Sequence, residues 1–225
     1  MSVCHLVVGA GEVGTALHTV LGTRAACEIR DVLPVGDVQA EVLHIAFPWS
    51  ERFVEQVQGY VAEHGAELVV VHSTVPVGTC DAHGWVHSPV RGRHPHLAEG
   101  LRTFVKHFGG ERAYEAARHW PGWSRVHAWA RDTEAGKLWE LIQYGINIQV
   151  EKAIHEWCTE RGADFEIVYT EFAETYNRGY RELGEERFVR PVLDHVPGPI
   201  GGHCVVQNAG LIDHPLARIV VDGLS

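Results

Sequence analysis

The stretch VVGAGEVG (Val7–Gly14) constrains the fold more than any other part of this chain. It follows an apolar run, CHLVV, that reads as a buried strand. It opens TALHTVLGT, whose Leu17, Val20 and Leu21 recur at helical spacing. Gly9, Gly11 and Gly14 thus form a GxGxxG turn between a strand and a helix. Gly9 permits the tight turn, Gly11 lets a pyrophosphate approach the backbone, and Gly14 lets the helix pack on the strand. Phosphates would sit on N–H groups at the helix N-terminus, with Glu12 and Val13 in the same turn. Asp31 lies twenty residues after Gly11, ending a second short strand, ACEIRDV. It is placed to accept hydrogen bonds from the ribose hydroxyls of an adenosine, which favours NAD over NADP. Its neighbour Arg30 is a cation that the 2′-phosphate of NADP would use.

The pattern continues as strands alternating with helices. EVLHIAFPWS reads as a third strand stopped by Pro48, and ELVVVHST as a fourth, apolar throughout its middle as parallel strands buried on both faces are. Between them ERFVEQVQGYVAEHG has Phe53, Val57 and Val61 at helical spacing and closes at Gly65. GWVHSPV and FVKHFGG are two further short strands. This alternation implies a doubly wound parallel α/β sheet over residues 1–130. From Thr133 the spacing changes: Leu138, Leu141, Ile142, Ile146, Val150, Ile154 and Trp157 recur at three- and four-residue intervals up to Gly162, with Asp132 or Thr133 as the cap. Such a helix is roughly 43 Å long, more than one small domain needs. Residues 131–225 are therefore expected to form a long helix and a small, mainly helical domain that makes a dimer contact or holds substrate.

Composition narrows the function classes. A formal charge of −10 disfavours non-specific nucleic-acid binding, which needs a basic surface. There is no signal-peptide pattern, and no apolar run of about 18 residues to cross a membrane. Five cysteines are odd in number and scattered without a CxxC, which speaks against a disulfide framework and against zinc. His94 and His96 alone make a poor metal site, so no metal is expected. The simplest home is a reducing cytoplasm.

Further motifs carry a resemblance. HSTVPVGT (His72–Thr79) is similar to the fourth-strand motif of the nucleotide-sugar 6-dehydrogenases, which oxidise UDP-glucose, GDP-mannose or UDP-N-acetylmannosamine. GPIGGHC (Gly198–Cys204) resembles the catalytic-cysteine loop of that family, nearest its N-acetylmannosamine branch. IAFP (Ile45–Pro48) and SPVRG (Ser88–Gly92) match weaker family motifs, and KLWELIQYGINIQVEKAIHEWCTERGADFEIV aligns without gaps on the family's long central helix. The likeness reaches nearly all of this chain but not the family's carboxy-terminal nucleotide-gripping domain. It implies a Rossmann domain, a long connecting helix that builds a homodimer, NAD as cofactor and a small-molecule alcohol as substrate.

By position, the resemblance makes Cys204 the nucleophile and Lys137 the source of charge or proton relay. It places Thr74 near the nicotinamide and a bound water, and Phe47, Pro48 and Ser73 in the cofactor site. Arg91, Asn177, Arg178 and His203 become substrate contacts, Arg91 in the loop RGRHPH and the next two in TYNRGYREL. A cysteine after Gly201 and Gly202 can turn its thiol toward a helix start, where thiolate is favoured. Three positions depart from the family. Its helical Asn is Leu141, the acid of its "SPE" turn is Val90, and the Asp four residues after the cysteine is Asn208, with Gln207 where some branches have Lys. Tyr144 is the candidate to replace the missing Asn. Without those carboxylates, water activation lacks its obvious groups, and one hydride transfer is more plausible than four-electron oxidation. Two other classes stay open: a non-redox relative that binds a dinucleotide as structural ligand or sensor, and a transferase using S-adenosylmethionine on the same scaffold.

Overall fold

The computed structural model describes residues 2–31, 38–201 and 203–223, the side chains of residues 2, 3 and 203 excepted. Among these, β1 (Ser2–Val8), β2 (Cys27–Arg30), β3 (Gln39–Ile45), β4 (Leu68–Val71), β5 (Val86–His87), β6 (Lys106–Gly109) and β7 (Ser124–His127) form one seven-stranded sheet, ordered β2-β1-β3-β4-β5-β6-β7. All neighbours pair in parallel except β5 with β6. The chain therefore has the α/β, doubly wound Rossmann architecture.

The period of two along each strand divides the core between the two faces of the sheet. Leu6, Val8, Leu43, Ile45, Val69 and Val71 pack on one face with Phe53 and Val57 of α2 (Phe53–His64). Val7, Val42, Leu68 and Val70 pack on the other with Leu17, Val20 and Leu21 of α1 (Glu12–Leu21). Full burial of each such side chain contributes about 1.5–3 kcal/mol before entropy is counted. α2 ends at Gly65, whose φ of +61° fits a left-handed cap; its N–H bonds the Val61 carbonyl at 2.9 Å. Short helices α3 (Thr79–His83), α4 (Leu97–Thr103) and α5 (Ala113–Arg118) complete this part. The edge strand β7, SRVH, escaped the sequence reading because its exposed, polar residues carry no apolar alternation.

The long helix α6 runs Ala130–Arg161 and ends before Gly162, whose φ is +67°. Its start lies three residues earlier than Thr133, and neither Asp132 nor Thr133 caps it. The Asp81 carboxylate instead accepts from the N–H groups of Ala130 at 2.8 Å and Arg131 at 3.2 Å. A partner 49 residues away in sequence cannot be found by local cap chemistry.

The chain divides into two compact units, Met1–Lys137 and Leu138–Ser225. The second holds the rest of α6, a π-helical turn (Glu166–Glu171) leading into α7 (Phe172–Glu182), and α8 (His203–Ala209) and α9 (Pro215–Asp222). Ile142, Val205, Ala209, Ala217 and Val220 form its core. A Cβ on Gly145 would meet Val220 at 2.6 Å, so that glycine sets how closely α6 and α9 pack. Among the described residues no helix is long and apolar enough to cross a membrane.

Candidate functional site

The glycine turn is built at the carboxyl ends of β1, β3 and β4, the edge where open α/β sheets bind ligands. Gly9 has φ +105°, and a Cβ there would sit 2.8 Å from the Ala46 carbonyl carbon. A Cβ on Gly14 would sit 1.7 Å from the Gly9 carbonyl oxygen. The chain's own packing therefore explains these two glycines. Gly11 is different: it is exposed, N-caps α1 without a side-chain bond, and a Cβ on it would meet nothing within 4 Å. It leaves open space at the amino end of α1. The turn also carries Glu12, exposed and hydrogen-bonded to the His94 ring of the RGRHPH loop, and half-buried Val13.

Asp31 is exposed at the end of β2. Arg30 beside it is only 5% exposed and points to α2, where its Nη1 donates to Glu63 Oε1 at 2.8 Å and meets the His64 ring. Its guanidinium also lies 5.1 Å from the centre of the Tyr60 ring. The cation that could have received a 2′-phosphate is thus already engaged. Phe47 joins a ring cluster with Phe53 at 5.0 Å and Tyr60 at 6.0 Å, while Pro48 is exposed. Ser73 Oγ donates to the Phe47 carbonyl at 2.6 Å, tying the exit of β4 to that of β3, and Thr74 follows half-buried.

The turn after β5 presents three consecutive carbonyls to two lysines. Lys106 Nζ donates to Ser88 O at 2.6 Å and Pro89 O at 2.7 Å, and Lys137 Nζ donates to Val90 O at 3.0 Å. Main-chain carbonyls thus hold both lysines at this turn. Burial, then the like charge of Lys137, pushes the Lys106 ammonium well below the usual lysine range. Arg91, next in the loop, lies half-buried with its guanidinium 5.6 Å from the Phe104 ring centre. Behind this turn His72 Nδ1 lies 2.7 Å from the Ser88 carbonyl, and His87 is pushed down to about 3 by burial. Glu134, fully buried on α6, accepts from the N–H groups of Gly78 at 2.6 Å and Cys80 at 2.8 Å, which locks the HSTVPVGT loop.

The other candidates belong to the second unit. Cys204 is exposed at the start of α8, and the Asn208 amide donates to its carbonyl at 2.7 Å. The side chain of His203 lies outside the described residues. Tyr144, half exposed, lines a cavity of about 420 Å³ with Glu151, Lys152, Leu193 and Gly201 of the cysteine loop. Leu141 packs against the small core of this unit. Asn177 is buried, and its amide holds both the N–H and the carbonyl of Arg190 at 2.8 Å, a main-chain-fixing role; Arg178 is exposed beside it. Sequence reasoning missed the roles of Lys106, Glu134 and the buried histidines. The signal for His5, His44 and His72 was a polar residue inside or just after a largely apolar strand; Lys106 in KHFG and Glu134 on α6 carried no such signal.

No family model and no curated protein matches the sequence. Solved structures do match. The chain is 18% identical to the UDP-D-ManNAc dehydrogenase of Pyrococcus horikoshii, with a TM-score of 0.76 over 99% of this chain and 68% of that one. It is 18% identical to the UDP-N-acetyl-mannosamine dehydrogenase of Staphylococcus aureus, with a TM-score of 0.70 over 99% and 68%. It is 17% identical to the 3-hydroxyisobutyrate dehydrogenase of Mycobacterium tuberculosis, with a TM-score of 0.64 over 99% and 92%. At such identities the likeness establishes the fold, which this chain shares with those dehydrogenases across nearly its whole length.

Proposed function

We propose that the glycine turn holds NAD and that the chain transfers a hydride between that cofactor and an alcohol on a small molecule. The observation that carries this reading is the open space Gly11 leaves among the described residues at the amino end of α1, in a GxGxxG turn at the carboxyl edge of the sheet. Bound there, NAD supplies the hydride acceptor, with its pyrophosphate on the first N–H groups of α1 and its adenosine ribose on Asp31. Engagement of Arg30 with Glu63 supports NAD over NADP.

In this reading Lys137 holds the substrate hydroxyl and takes part in moving its proton, oriented by the Val90 carbonyl. Arg91 follows the Val90 carbonyl that holds Lys137, while the roles of Thr74 near the nicotinamide and of Cys204 as a trap for a carbonyl product rest on the family resemblance alone. Tyr144, Asn177, Arg178 and His203 are candidate substrate contacts of the second unit by the same resemblance. The reaction stops at two electrons, because no carboxylate stands at Val90 or Asn208 to activate water for a second step. A homodimer through α6 is part of the proposal. Val150 and Trp157 on that helix are 44% and 49% exposed, an apolar surface that a second copy would cover.

One observation favours a second, non-redox reading in which a dinucleotide is a structural ligand or sensor. The Asn208 amide donates to the Cys204 carbonyl on its own helix, and an amide is not an acid–base group. A screen of alcohols with NAD, followed by NADH absorbance, separates the two. Turnover that falls in Lys137→Met supports the oxidoreductase; NAD binding without turnover on any alcohol supports the sensor. Binding of S-adenosylmethionine instead of either nicotinamide cofactor would point to a transferase.

A further inference from the structure

At the amino end of β1, the far end of that strand from the glycine turn, three metal-ligating side chains converge. Cys4 Sγ lies 3.5 Å from His5 Nε2 and 3.8 Å from His119 Nδ1, and all three donor atoms lie within 4.8 Å of one another. Glu41 Oε2 on β3 lies 3.4 Å from the same sulfur. Donor atoms on a four-coordinate zinc ion are spaced about 3.3–3.8 Å apart, given its bond lengths of roughly 2.3 Å to sulfur and 2.0–2.1 Å to nitrogen. The sulfur-centred distances here match those edges.

The buried histidines fix which nitrogen of His5 is available. The Ser88 carbonyl can only accept, so at 2.7 Å the Nδ1 of His72 must carry the proton. His72 Nε2 then accepts from His44 Nδ1–H at 2.9 Å, and His44 Nε2 accepts from His5 Nδ1–H at 3.0 Å. This ordered row, from β4 through β3 to β1, leaves His5 Nε2 without a proton and with its lone pair toward Cys4 and His119. It is the outer-shell arrangement that orients a metal-binding imidazole. Lys106, at 3.2 Å from His72 Nδ1, keeps its shorter bonds to the Ser88 and Pro89 carbonyls and does not reverse the row.

We infer that Cys4, His5 and His119 form a binding site for a zinc-class divalent cation, with water or the nearby Glu41 carboxylate, after a shift, filling the fourth position. One thiolate with two imidazoles is a donor set for zinc or cobalt rather than for magnesium or calcium. Binding forms the metal–sulfur bond as the Cys4 S–H bond breaks and its proton leaves to water, while both imidazoles and the fourth-position oxygen give lone pairs. The ion would tie β1 to the end of α5, where His119 is the C-cap.

The full chain, stripped with a chelator, is titrated with Co²⁺ alone and followed by absorbance, then with Zn²⁺ in buffers of different ionisation enthalpy. The expected result is one equivalent of Co²⁺ with a thiolate charge-transfer band and strong tetrahedral bands, displaced by Zn²⁺ with release of about one proton at neutral pH. Cys4→Ser should abolish the charge-transfer band, and His119→Ala should weaken binding at least about 10-fold; both residues are partly exposed, so circular dichroism should stay unchanged. Cys204→Ser should leave the spectrum intact. Absence of binding, an octahedral spectrum, or a charge-transfer band that survives Cys4→Ser would overturn the assignment.

Discussion

The ammonium of Lys137 donates to the main-chain carbonyl of Val90 over 3.0 Å. That bond sets the ammonium beside the turn after β5, where the proposed reaction has it meet a substrate oxygen. Lys137→Met should therefore lower kcat/KM on any alcohol substrate by about 10²-fold or more, the usual size of a lost acid–base group. Its NAD affinity should stay within about 2-fold, because the proposed phosphate site is on α1 and not at Lys137. Steady-state kinetics beside a binding isotherm checks both halves.

The glycines of the turn should separate folding from binding. Gly14→Ala drives a methyl group into the Gly9 carbonyl and should cost about 3 kcal/mol or more, read as a fall in the urea midpoint. Gly11→Ala meets no protein atom, so stability should change by no more than about 1 kcal/mol while NAD binding is lost. Equal damage to stability from both variants would contradict the assignment of that space to a ligand.

Much of the fold was legible because it rests on local periodicity. The strand–turn–helix around Gly9–Gly14, the apolar β4 and the long helix each announce themselves by spacing alone. What stayed hidden depends on distant partners. His5, His44 and His72 become neighbours only because β1, β3 and β4 are adjacent in the sheet, and Asp81 caps a helix begun 49 residues later. Cys4 showed no metal motif because its partner His119 is 115 residues away. Arg30 beside Asp31 read as a possible phosphate ligand until its burial against Glu63 was seen.

Buried neutral histidines should make the first unit sensitive to acid. Burial holds His87 down to about 3 and His72 well below the ordinary 6.5. Between those values and 6.5 the unfolded chain binds protons that the folded chain refuses. Their stabilisation is therefore complete above 6.5 and lost as pH falls, by up to about 1.4 kcal/mol per pH unit for each histidine. The depressed Lys106 acts in the same direction from a higher pH. Urea midpoints at pH 7.5, 6.0 and 5.0, taken with chelator present, should decline steadily, and His87→Asn should flatten part of that slope.

Arg30 should matter for stability and not for cofactor choice. Arg30→Met removes charge-assisted bonds to Glu63 at a buried position and should cost about 1.5–3 kcal/mol. The ratio of NAD to NADP affinity should not move. In Asp31→Ala that ratio should shrink instead, because the ribose loses its acceptor.

Calorimetric titration of the nucleotide-stripped protein with NAD, in the wild type and in Asp31→Ala, tests the central claim most directly. The account predicts one NAD site of micromolar affinity that weakens at least about 10-fold in the variant, the cost of roughly 1.4 kcal/mol of ribose hydrogen bonding. No heat of binding with NAD, or an affinity indifferent to Asp31, would contradict it.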